Sequence, residues 1–124
     1  MIIKIDKQSS VPIYTQLINQ LKYLIVTNKL KDNDSLPSVR SLARDLGVNM
    51  HTVNKAYNIL VEEHVLIKNR KGYIVSSDRQ ITDEGLEELD HRITELLLDI
   101  YVHHVSDNYI KELFDKNASE LKKE

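Results

Sequence analysis

A chain of 124 residues, 41% of them hydrophobic, holds enough apolar material for one compact domain plus a small appendage. The absence of cysteine excludes disulfide frameworks, thiolate zinc sites and cysteine nucleophiles, and no apolar run approaches the ~18 residues of a membrane span. The net charge of -2 hides a division: residues 1–77 carry 11 Lys and Arg against 6 Asp and Glu (+5), and residues 78–124 carry 6 against 13 (-7), so a polyanion is attracted to the first half and repelled by the second.

The apolar start is broken by Lys4 and runs into Asp6 and Lys7, which lacks the long apolar region of a signal peptide. A cytoplasmic protein with no membrane partner is expected. Over residues 12–28, a proline suited to a first turn precedes Ile13, Leu17, Leu21, Leu24 and Ile25 at helical spacing, which predicts the first helix. Residues 31–35 predict a polar loop ended by Leu36 and Pro37. Ser38 offers a hydroxyl to cap a short second helix ending near Leu46. Gly47 supplies a positive φ, Val48 a core plug, and Asn49 the cap of a third helix running to about His64.

In that third helix Val53, Ala56, Tyr57 and Leu60 form the buried stripe and leave His51, Asn54, Lys55 and Asn58 outside. The outer face is polar and uncharged apart from Lys55. Donors and acceptors without carboxylates suit the reading of base edges in a major groove, although an isolated helix with this pattern equally describes a solvated face. Residues 66–69 and 73–75 read as strands joined by Arg70, Lys71 and Gly72, a hairpin with a basic tip. Two helices joined at a glycine turn and followed by such a hairpin make a winged helix-turn-helix, expected over residues 1–77.

Residues 76–80 form a polar linker. A helix over residues 82–105 carries Leu86, Leu89, Ile93, Leu96, Leu97 and Ile100, and Ser106 caps a last helix bearing Tyr109, Ile110, Leu113, Phe114 and Leu121. The expected fold is therefore mainly α with a small β-hairpin, a winged helix-turn-helix followed by a C-terminal antiparallel helical hairpin over residues 78–124. Two helices cannot enclose a core of their own, so Leu89, Ile93, Leu96, Ile100, Leu113 and Phe114 are assigned to a homodimer interface.

From Pro12 to Val75 the sequence resembles the GntR family of bacterial regulators. The resemblance is carried by Pro12, Ile13 and Tyr14; by Leu36, Pro37, Ser38, Val39 and Arg40; by Leu46, Gly47, Val48 and Asn49 with Thr52 and Val53; and by Gly72 and Val75 at the end of the wing. The Pro-Ile-Tyr start, the set Asn49, Thr52, Val53, Lys55, Ala56 and Tyr57, and a tail of two helices are most similar to the short YtrA-like subfamily. The resemblance implies a sequence-specific DNA-binding repressor in which Arg40 reaches DNA, residues 49–52 supply groove and phosphate contacts, and Gly72 lets the wing tip approach the duplex. Met50 and Asn54 stand where many relatives carry arginine, so those guanine contacts do not transfer, and Arg70 stands where a companion glycine is usual.

The candidate DNA-binding set is Ser38, Arg40, Asn49, Met50, His51, Thr52, Asn54, Lys55, Arg70, Lys71 and Gly72. Arg40 has a competing use in pairing with Asp45, and Tyr57 is assigned to the core. His103 and His104 would point about 100° apart on a helix and make no joint metal site. No nucleophile or acid and base pair converges, and the carboxylates of residues 83–90 read as a solvated face, so neither an enzyme nor a cofactor is expected. The expected partners are double-stranded DNA in an inverted-repeat operator and a second copy of the chain; a small effector could bind between dimer helices, but the sequence names none. The alternative function is a winged helix that mediates protein contacts without binding DNA.

Overall fold

The computed structural model describes residues 2–122, and packing divides them into two units, one ending at Gln80 and the other beginning at Ile81.

In the first unit, α1 (Ile13–Val26) starts one residue after Pro12, whose carbonyl accepts from the Gln16 N–H at 3.1 Å. It stops short of the expected residue 28 because Asn28 turns left-handed, with φ 61°, a conformation asparagine tolerates better than most residues. Helix α2 (Val39–Leu46) is capped by Ser38, whose Oγ accepts from the Ser41 N–H at 3.0 Å, and it ends on Gly47 at φ 66°. Helix α3 (Met50–Glu62) is capped by Asn49, whose Oδ1 accepts from the His51 N–H at 2.7 Å. Leu17 and Leu21 of α1 meet Val53, Ala56, Tyr57 and Leu60 of α3 in a core from which water is excluded, each large side chain contributing ~1.5 to 3 kcal/mol of burial.

Strands β1 (Leu66–Asn69) and β2 (Gly72–Val75) pair antiparallel, from Leu66 opposite Val75 to Asn69 opposite Gly72. The end of the segment expected as a polar loop also adds a rung to this wing. Ser35 bridges Ile74, the Leu36 N–H donates to the Tyr73 carbonyl at 2.9 Å, and Asn33 and Asp34 exchange bonds with Val75 at 2.8 and 2.9 Å. With Leu36 as its one apolar residue the segment shows no alternation, which is why its pairing is invisible in the sequence.

A further feature is an N-terminal arm along α1, whose alternation of Ile3 and Ile5 with Lys4 and Asp6 is too short to predict a strand. The Lys4 N–H donates to Gln20 Oε1 at 2.7 Å, and the Gln20 amide donates back to the Lys4 carbonyl. One turn earlier, the Asp6 N–H donates to Gln16 Oε1 at 2.9 Å and Gln16 returns a bond to the Asp6 carbonyl at 3.0 Å. Ile3 and Ile5, on either side of Lys4, pack against the core.

In the second unit, α4 (Asp83–Val102) is capped by Thr82, whose Oγ1 accepts from the Gly85 N–H at 2.9 Å. It ends before the expected residue 105 because His104 is left-handed, at φ 57°. Helix α5 (Asp107–Lys122) follows, with Ser106 Oγ accepting from the Tyr109 N–H at 3.2 Å. The two helices meet around the turn, where Leu97, Ile100 and Tyr101 face Ile110 and Lys111 across a shallow cavity of about 240 Å³. Beyond it their backbones do not run in close contact. Ile100 is buried, Leu113 is half-buried, and Leu89, Ile93, Leu96 and Phe114 are exposed, Phe114 to 72%. No helix among the described residues is long and apolar enough to cross a membrane.

Candidate nucleic-acid interface

Burial of Val53, Ala56 and Tyr57 fixes the rotation of α3, so Met50, His51, Asn54, Lys55 and Asn58 are turned outward and Thr52 is half-buried at the edge. The capping bond commits Asn49 Oδ1 to the start of its own helix, which leaves the amide of that side chain as the group free to donate. Ser38 is engaged in the same way at the start of α2, with its hydroxyl proton still available. Arg40 lies exposed in the first turn of α2 and does not pair with Asp45. The ion pairs among the described residues are Lys22 with Glu63 at 2.8 Å and Arg79 with Asp32 at 2.6 Å.

Lys55 has a more particular position. Its Nζ sits 3.9 Å from the centroid of the Tyr14 ring, a cation–π contact that holds the ammonium beside the start of α1. Spacing along the chain gives no sign of this role for Tyr14, because the contact depends on α1 crossing α3. Tyr57 is a core residue, as its place on the buried stripe predicts: its hydroxyl donates to the Pro37 carbonyl at 2.8 Å and its ring meets Tyr73 edge-on at 4.7 Å. Burial, with a smaller contribution from Tyr73, pushes its ionisation well above the ordinary tyrosine range.

The wing tip is built by Asn69, whose Oδ1 accepts from the N–H groups of Lys71 at 2.9 Å and Gly72 at 3.1 Å. Gly72 adopts φ 135°, and no atom lies within 4 Å of where a Cβ would stand, so glycine is required by conformation and not by space. Arg70 is not among the left-handed residues, which explains how arginine replaces the companion glycine without strain. Arg70 and Lys71 are both exposed. No group of three or more potential metal-ligating side chains occurs among the described residues.

A short helix, a glycine turn, a second helix with a polar outward face and a basic hairpin wing define a winged helix-turn-helix of the DNA-binding regulator class. Residues 13–75 match the bacterial regulatory proteins of the gntR family, and the chain belongs to that family. It is 32% identical to the HTH-type transcriptional repressor YtrA of Bacillus subtilis over 97% of this chain and 95% of that protein. Among solved structures, its fold is similar to that of a transcriptional antiterminator from Listeria monocytogenes, with a TM-score of 0.92 and 28% identity over 100% of this chain and 95% of the other. It is also similar to YtrA from Sulfolobus acidocaldarius, a GntR-family transcription factor, with a TM-score of 0.60 and 39% identity over 98% of this chain and 100% of that one. The relatives are transcription regulators and this chain is one of them, not an enzyme.

Proposed function

We propose that the chain is a cytoplasmic homodimeric repressor that binds an inverted-repeat operator. The observation that carries this reading is the outward face of α3, where His51, Asn54 and Asn58 are exposed donors and acceptors with no carboxylate among them. Placed in a major groove, with Arg40 beside it, this face reads base edges. Arg70 and Lys71 on the wing, and Lys55 beside Tyr14, neutralise phosphates at the flanks. The acidic second unit keeps away from the duplex and offers its apolar residues, Leu89, Ile93, Leu96 and Phe114, to a second copy. A two-fold dimer presents two α3 helices to one side of DNA, so the half-sites are inverted with centres about 10 base pairs apart. The relation to the YtrA repressor supports repression as the sign of regulation.

Selection of bound duplexes from a random pool tests the reading. Enrichment of an inverted repeat is expected. Enrichment of a single unrepeated site would overturn the dimeric arrangement, and no enrichment with salt-insensitive retention would overturn DNA reading altogether.

A further inference from the structure

The arm that precedes α1 ends beside the turn between α2 and α3. Gln16 and Gln20 each use both ends of the carboxamide on the arm backbone, as a neighbouring strand would, and Gln16 also donates to the Val11 carbonyl at 2.9 Å. This fixes the position of the next residue, Lys7. Its Nζ donates to the Gly47 carbonyl at 2.9 Å, two residues before the cap of α3. On the other flank, Tyr14 holds Lys55 of α3. The segment from Lys7 to Tyr14 thus has one ammonium at each end, Lys7 beside the turn that leads into α3 and Lys55 on the second turn of α3.

We propose that Lys7 is a phosphate-contacting residue of the DNA surface, presented by the arm at the edge of the groove that α3 enters. This rests on the proposed DNA-reading face of α3. The ammonium has three donors and Gly47 takes one, which leaves two for a phosphate oxygen. Lys7 is exposed and is in neither ion pair among the described residues. The carboxylate next to it, Asp6, accepts from the Gln8 N–H at 2.9 Å. A competing role is purely structural: a cation at the C-terminus of α2 complements the helix dipole and caps the last carbonyls. The two roles differ in how binding depends on salt.

The test uses the full-length chain with Lys7→Gln, which keeps an N–H donor for Gly47 and removes the charge, and with Lys7→Arg, which keeps both. Binding to the selected operator and to a random duplex is measured from 50 to 200 mM salt, with thermal unfolding followed in parallel. For Lys7→Gln the slope of log affinity against log salt should flatten by about 0.9 on both duplexes, and Lys7→Arg should restore it. A Lys7→Gln slope equal to that of the wild type, with or without a lowered melting temperature, overturns the proposal and leaves Lys7 a helix cap. Wild-type protein that fails to bind duplex DNA overturns the proposal together with the reading on which it rests. Steep wild-type salt dependence beside an unchanged variant slope overturns the role of Lys7 alone.

Discussion

Tyr57 shows how one side chain serves both fold and site. Its ring closes the core between α3 and the wing, and its hydroxyl holds the Pro37 carbonyl just before the cap of α2. Tyr57→Phe keeps the ring and leaves that carbonyl without its donor, so stability should fall by ~1 to 2 kcal/mol in urea unfolding. The ionisation of Tyr57, raised by burial and by Tyr73, gives the buried phenol a signature in alkali. An unfolded tyrosine ionises near pH 10, where the folded one stays protonated, so the unfolded state binds fewer protons and stability declines as pH rises beyond that value. The wild type should lose up to ~1.4 kcal/mol per pH unit that Tyr57→Phe does not lose, and equal slopes in the two proteins would exclude the coupling. On the outer face, alanine at Arg40, His51 or Asn54 should cost ~1 to 3 kcal/mol on the operator and little on random duplex. Equal losses on both would move that residue from base reading to phosphate contact. The exposure of His51 and Asn54 was legible because helical period separates them from the buried stripe of Val53, Ala56 and Tyr57, whereas Arg40, on α2, entered only through the family resemblance. The perch of Lys55 on Tyr14 was not, since two residues on different helices meet only once the helices cross.

Among the elements, punctuation along the chain located the helices to within one to three residues. Ser38, Gly47, Asn49 and Ser106 all act as the terminators their chemistry suggests, and Thr82, expected as the first helical residue, is itself a cap. What escaped is pairing that leaves no period. The Asn33 to Leu36 rung takes its bonds from the backbone of β2 and shows no alternating apolar residues, and the arm, bonded by glutamine side chains, alternates only over Ile3 and Ile5, too short a run to predict a strand. The rung matters for the wing. A two-stranded hairpin alone is marginal in water, and attachment to the segment leading into α2 ties the wing tip to the helix-turn-helix. Arg70→Ala with Lys71→Ala should therefore leave the fold intact and weaken binding to every duplex alike. The salt slope should flatten by about one unit per lost contact. An unchanged slope in fluorescence titrations would remove the wing from the interface.

For the whole molecule, the charge division between the halves was visible in composition, and so was the apolar stripe of the second unit. The stripe is left exposed because α4 and α5 meet only around their turn. A chain truncated after Gln80 retains a core of its own and should sediment as a folded monomer that binds the operator weakly, whereas the full chain should sediment as a dimer. A monomeric full-length protein, or a truncation that dimerises and binds as tightly, would refute the assignment. The splaying of α4 and α5 also has a thermodynamic consequence. On the proposed dimer, the second unit would complete its core with a second copy and fold in a second-order reaction, so its stability should follow mass action while that of the first unit should not. Calorimetry should resolve two transitions, and only the one belonging to residues 81–124 should move upward with protein concentration. On the proposed dimer, dilution should melt the C-terminal unit first, and the tightness of operator binding would then gauge how much of the protein is present.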